Sequence, residues 1–198
     1  MTPLTPPSSA PPPDLVDRLI DRAADAGLLD VAYAAVDSPL GTLVAARTPR
    51  GLAVLSYADV NGGVDAVAEQ LATRLSPRVL EAPARLDDVR RELDEYFAGR
   101  RTRFDLPLDL GLVRTDFGRR VLRAATAIPF GETRTYRDVA AGAGNERAIR
   151  AAGTALGRNP IPIVVPCHRV LRSGGGLGGY TGGLERKAAL LSIEGARS

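Results

Sequence analysis

Apolar residues first recur at helical spacing. Leu15, Val16, Leu19, Ile20, Ala23 and Ala24 share one stripe that Gly27 closes, which predicts an amphipathic helix over 14–27 packed on the rest of its domain. From Val31 the period shortens. Val31–Val36, Thr42–Ala46 and Leu52–Tyr57 are short apolar runs separated by Asp37-Ser38-Pro39-Leu40-Gly41 and Thr48-Pro49-Arg50-Gly51, so they predict a three-stranded meander. Two helices follow, Val64–Leu75 and a stronger one over Leu86–Phe97 with Leu86, Val89, Leu93 and Phe97 on one face and Gly99 as its C-cap. Further on, Thr115-Asp116 can cap a helix through Ile128 with Phe117, Val121, Leu122 and Ala125 inward. Thr135 can cap a short helix over Tyr136–Ala141, and Asn145 one over Glu146–Gly157, with Gly142-Ala143-Gly144 between them. That is a helix-turn-helix pattern. A glycine-rich loop, Ser173–Gly183, leads into a last helix over Leu184–Ile193, with Leu184, Ala188 and Leu191 at helical spacing.

These elements predict an α+β protein: a small N-terminal α/β domain over 14–110, then a mostly helical domain with a helix-turn-helix over 111–198. Residues 1–13 stand apart. Six prolines among them, with Ser and Thr, predict a disordered tail. The chain of 198 residues has no apolar run of 18, which argues against a membrane span, and its start lacks the basic and apolar regions of a signal peptide. One cysteine allows no internal disulfide and fits a reducing cytoplasm. One cysteine and one histidine do not supply a four-ligand structural zinc site, so no metal is expected. A net charge of +3 permits nucleic-acid binding without arguing for it.

The chemistry concentrates in Ile161-Pro162-Ile163-Val164-Val165-Pro166-Cys167-His168-Arg169-Val170, which places the sole cysteine beside the sole histidine. A thiol works as the thiolate, and an imidazole nearby can raise that fraction, so Cys167 reads as a nucleophile. On the second helix of the pair, Arg147, Arg150 and Arg158 share an exposed face. The small residues Ala148, Ala151 and Ala152 would let its backbone come close to a DNA duplex.

Taken together, these motifs resemble the O6-alkylguanine-DNA alkyltransferases, the methylated-DNA–protein-cysteine methyltransferase family. Pro166-Cys167-His168-Arg169-Val170 is similar to the family's active-site motif. Ile128-Pro129-Phe130-Gly131-Glu132-Thr133, Tyr136, Arg150, Gly157–Ile163, Gly179-Tyr180-Thr181-Gly182-Gly183 and Glu194 match as well. The close resemblance spans residues 115 to 195. A looser one covers the first domain through Asp37–Gly41 and Tyr96-Phe97-Ala98-Gly99.

The resemblance implies repair of O6-methylguanine in double-stranded DNA by irreversible transfer of the methyl group to Cys167, once per molecule and without a cofactor. It implies that His168 acts as base through a bridging water, with Glu194 orienting the imidazole. Neighbouring side chains on a helix or turn point roughly 100° apart, which supports an indirect Cys167–His168 link. It further implies that Asn159 braces the active-site segment and that Arg150 fills the place of a flipped-out base. Tyr136 would rotate the phosphate and hydrogen-bond the guanine. The pocket would be lined by the backbone near Cys167 and Val170, with Tyr180 and Thr181, and Ala151 would lie in the minor groove. No obligate protein partner is implied, so a monomer is expected. Gly118 stands where the family commonly has Gln, Leu122 where it has Trp, and Thr135 and Thr181 replace the usual Ser. Those departures predict altered packing under the helix pair and a narrower pocket.

Three other readings compete. A non-catalytic damage binder of the alkyltransferase-like kind would lack Cys167. A methylation-activated regulator of this family would carry a separate four-cysteine zinc domain. A Cys–His hydrolase would need an acyl substrate and an oxyanion hole, to which nothing here points.

Overall fold

The computed structural model describes residues 13–196, so the expected proline-rich tail lies outside the described residues apart from Pro13, which opens the first helix, α1 (Pro13–Asp25). That helix meets the sheet through Ile20, which packs with Leu29, Ala32 and Ala82, and through the Arg85–Asp21 ion pair at 2.8 Å. The packing is narrower than the apolar stripe predicts, since Leu15, Val16 and Leu19 are exposed. Ala32 and Ala82 beneath the helix are too small to reach more of that stripe.

The meander forms as β1 (Val31–Val36), β2 (Leu43–Thr48) and β3 (Gly51–Tyr57), each antiparallel to the next. A short strand absent from the sequence reading, β4 (Val79–Glu81), adds in parallel beside β1, giving the order β3-β2-β1-β4. Three residues carry too little pattern to be recognised alone. One face of the sheet is covered by α2 (Val64–Arg74) through Val67 and Leu71 against Val31, Val44 and Val54. The other face meets α3 (Asp87–Phe97), which starts one residue later than its apolar face suggests because Leu86 belongs to a preceding 3-10 turn.

Beyond Leu110 come α4 (Asp116–Thr126), capped as expected by the Thr115 side chain, and α5 (Tyr136–Gly142), where Thr135 and Asp138 form a reciprocal capping box. The next helix, α6 (Ile149–Gly157), begins three residues later than predicted. Asn145 caps a turn in place of a helix. Its side chain accepts from the Arg147 N–H at 3.2 Å and its carbonyl from the Ala148 N–H at 3.0 Å, which takes up the local donors before the helix begins.

The final helix, α7 (Leu184–Ile193), has the expected bounds but a different buried face. Leu184 and Ala188 are exposed, and Lys187, Leu190 and Leu191 point inward. Glu194 is its C-cap. One apolar core runs through both halves, joining Leu43, Leu55, Leu93 and Tyr96 to Val121, Leu122, Ile128, Val165 and Leu190. Among the described residues no helix is long and apolar enough to cross a membrane, and no group of three or more His, Cys, Asp or Glu could hold a metal ion.

Candidate active site

A two-stranded parallel ladder sets up the site. Strand β5 (Arg134–Thr135) pairs with β6 (Val170–Leu171), Arg134 opposite Val170 and Thr135 opposite Leu171. The first leads directly into Tyr136 and the second begins after Arg169, so a pair two residues long joins the start of α5 to the segment holding the thiol. The stretch leading to the thiol, 160–166, turns tightly under Asn159. The Asn159 amide donates to the Val165 carbonyl at 2.8 Å and to Cys167 Sγ at 3.2 Å, and its oxygen accepts from the Ile161 N–H at 3.0 Å. The turn forces Ile163 to φ 74°, a left-handed conformation that costs a β-branched residue on the order of 1–3 kcal/mol. Strand β3 fastens the same turn, with the Leu55 N–H donating to the Pro160 carbonyl at 2.8 Å.

Cys167, His168 and Arg169 form one 3-10 turn. Their side chains diverge as residue spacing on a turn demands. Cys167 faces Asn159 and a pocket of about 450 Å³ lined also by Tyr136, Ile149, Gly153, Leu156, Arg172, Tyr180 and Thr181. His168 is not on the lining of that pocket. It is fully buried, and its Nε2 lies 2.8 Å from Glu194 Oε1. Its other nitrogen, Nδ1, is buried without a hydrogen-bond partner in the protein. Arg169 grips the same carboxylate twice, Nε to Oε2 at 2.8 Å and Nη2 to Oε1 at 2.9 Å, and donates from Nη1 to the Ile128 carbonyl at 2.6 Å.

The electrostatics follow from this burial. Desolvation pushes the Cys167 thiol up, opposed by the Asn159 donor and the charge of Lys187. Desolvation also lowers the His168 value, more than the Glu194 contact raises it, so the imidazole is neutral near pH 7 and available as a base. Burial opposes ionisation of Glu194, but hydrogen bonds from His168 and Arg169 outweigh it and hold the carboxyl at about 2.

The expected site residues separate into three groups. Cys167, Tyr136, Tyr180 and Thr181 line one pocket, with Asn159 bonded to the thiol, while His168 and Glu194 form a buried pair behind it. Arg150 and Ala151 lie outside the pocket on the exposed face of α6. Val170 is not brought to the pocket wall: its side chain is buried and its carbonyl accepts from Lys187 Nζ at 2.5 Å. Ala152 also departs from expectation. It is fully buried against the core, so of the three alanines Ala148 and Ala151 alone remain for a close approach from outside.

Thr181 lines the pocket. Gly118 does shape packing, because a Cβ there would come 2.9 Å from Thr115 Oγ1 and 3.0 Å from Val113 Cγ1.

Several residues of the site escaped the sequence reading. Lys187 is fully buried, donating to the Val170 and Leu177 carbonyls and so tying β6 to the glycine-rich loop, and burial lowers its ammonium to about 8. Its spacing from Leu190 and Leu191 was the available signal. Tyr57, from β3, hydrogen-bonds Tyr180 hydroxyl to hydroxyl at 3.0 Å. Two glycines of the loop are needed for contact. A Cβ on Gly178 would sit 2.5 Å from the Tyr136 hydroxyl, and one on Gly182 would sit 2.4 Å from the Tyr57 ring.

Comparison with known proteins bears on the same residues. Positions 116–196 match the family described as 6-O-methylguanine DNA methyltransferase, DNA binding domain, and 31–110 match its ribonuclease-like domain. A methylated-DNA–protein-cysteine methyltransferase of Mycolicibacterium paratuberculosis is 44% identical over 165 residues, covering 83% of this chain and 92% of that protein. The constitutive methylated-DNA–protein-cysteine methyltransferase of Bacillus subtilis is 38% identical, covering 82% and 94%. Among solved structures, Mycobacterium tuberculosis OGT in complex with DNA superposes with a TM-score of 0.70 at 39% identity, covering 83% of this chain and 92% of that one.

Proposed function

The chain belongs to the 6-O-methylguanine DNA methyltransferase family, a methylated-DNA–protein-cysteine S-methyltransferase that reverses alkylation directly, and we propose that Cys167 is its acceptor. The observation that carries the assignment is the position of Cys167. Its sulfur faces a pocket of about 450 Å³ while a neutral, buried imidazole sits next in the chain with Nδ1 unpartnered. That nitrogen suits a water bridging to the thiol. His168 takes the thiol proton through the water, and Sγ attacks the methyl carbon. The S–C bond forms as the C–O6 bond breaks, and the electron pair leaves on the guanine. Tyr136, on the pocket wall, hydrogen-bonds the ring so that the oxygen does not depart as a bare anion. The product thioether has no acyl or phosphoryl centre for water to attack, so each molecule reacts once.

The partner is double-stranded DNA with a flipped nucleotide, since a stacked base cannot bring its O6-alkyl carbon to a protein thiol. We assign α6 to the minor groove, with Ala151 allowing close approach and Arg150 filling the vacated stack. A monomer acting in the reducing cytoplasm, with domains meeting near residue 110, completes the reading.

The test is transfer itself. A duplex whose O6-methylguanine carries a labelled methyl should leave one equivalent of label on each chain and then stop. Continued turnover, or no protein-bound label, overturns the assignment. Arg150→Ala separates flipping from chemistry: it should slow repair of the duplex roughly tenfold or more, with reaction toward free O6-benzylguanine changed less than about twofold. Equal losses on both substrates would remove Arg150 from the flipping step.

A further inference from the structure

The N-terminal half carries no chemistry in the sequence reading, yet one of its side chains reaches the Glu194 carboxylate. Tyr96, in the last turn of α3, is fully buried, and its hydroxyl donates to Glu194 Oε1 at 2.7 Å. Its ring is held by Phe97 and Phe104 at 5.3 Å and by Phe130 at 6.1 Å, so the hydroxyl has little freedom to leave. Oε1 is also the oxygen that meets His168, and it accepts from Arg169 Nη2 as well. Oε2 takes Arg169 Nε and, at 3.4 Å, the Gly131 N–H.

We propose that Tyr96 is a positioning residue of the proton relay: it fixes the Glu194 carboxylate and draws charge from the oxygen that faces His168, keeping the imidazole a neutral base. The proposal deepens the reading of Cys167 as acceptor and rests on it. Its logic is competition for one oxygen. A carboxylate oxygen shared among three donors stabilises an imidazolium less than one shared between two. The other charged or titratable groups around His168 are Arg169 and Lys187, whose charges oppose its protonation, together with Cys167 and the Tyr180 ring standing perpendicular at 6.3 Å. None of them changes when Tyr96 loses its hydroxyl.

His168 is the only histidine in the chain, so its titration can be followed without assignment. Histidine labelled with ¹³C should show a midpoint about 0.5 to 1 pH unit higher in Tyr96→Phe than in the unchanged protein. The acidic limb of single-turnover methyl transfer from saturating O6-methylguanine duplex should move up with it, leaving the plateau within about threefold. A purely structural tyrosine would lower the melting temperature and leave both midpoints in place; overlaid titrations overturn the proposal. Site-specific 3,5-difluorotyrosine at position 96 provides a second arm that keeps the ring. A stronger donor should lower the midpoint, and an unmoved one counts against the proposal even if Tyr96→Phe fails to fold. Transfer by the unchanged protein is measured first. Its absence refutes the acceptor reading, while the histidine titration still decides the role of Tyr96 toward Glu194.

Discussion

Cys167→Ser is expected to gain no methyl group under conditions where the unchanged chain gains one. A serine hydroxyl at this position is a far weaker nucleophile than a thiol, whose thiolate is within reach at neutral pH. Burial makes the contrast larger, because desolvation that merely raises the thiol would suppress a serine alkoxide altogether. The substitution leaves the rest in place. The Asn159 amide still finds an acceptor, the His168–Glu194–Arg169 cluster does not touch the thiol, and α6 is unaltered. The variant should therefore bind methylated duplex with affinity within about threefold of the unchanged protein, since on the proposed reading phosphate contacts from arginines outside the pocket are expected to carry most of that affinity. Intact mass after incubation with an O6-methylguanine duplex reads the result, and peptide mapping places the added methyl on the peptide holding Cys167. A methyl group on any other residue, or on Cys167→Ser itself, would break the link between this thiol and repair.

How far the sequence reached depends on where the information sat. Capping is local, so Thr115 and Thr135 were readable and both side chains make the bonds expected of them. The meander was readable because its strands are bounded by turn residues, whereas β4 and the ladder of β5 with β6 are two or three residues long and exist only through their partners. Asn145 misled because an Asn that closes a turn and one that caps a helix look alike in sequence. Leu184 and Ala188 misled because helical spacing shows that a face exists but not which face is buried, and here a lysine lies inward.

In the site, the motif Pro166–Val170 brought Cys167 and His168 forward at once. The partners of Glu194 could not be ranked from the same letters. Arg169 is the neighbour of His168 and could have been read as a solvated charge, yet it is buried and doubly bonded to the carboxylate. Tyr96 lies 98 residues away and is joined to that carboxylate only by the fold. Long-range contacts of this kind leave no local pattern.

The relay sets the second large effect. With Glu194→Gln, His168 keeps a neighbour but loses the negative charge that favours taking up a proton, so transfer near neutral pH should slow by roughly 100-fold. Its pH dependence should rise toward the titration of the unaided thiol, which burial has already pushed up. The same variant strands the buried Arg169 guanidinium, which removing one partner of such a pair makes costly, by about 3–5 kcal/mol. Rates must therefore be taken below its lowered melting temperature. His168→Ala serves as the cleaner arm, because it removes the proposed base while leaving Glu194 on Arg169 and Tyr96.

Acid stability supplies an independent check on the charge at Glu194. The folded carboxyl lies at about 2 against an ordinary 4.5, so its stabilising contribution is complete above about 4.5 and is lost as the pH falls through about 2. Glu194→Gln should remove that contribution and flatten the dependence of stability on pH across the same window. If its pH–rate profile and that of His168→Ala overlaid the unchanged protein's, the imidazole would not be the base. Cys167 would then depend on the other groups that favour its thiolate, the Asn159 amide at 3.2 Å and the buried charge of Lys187, and Lys187→Met would become the variant that slows transfer.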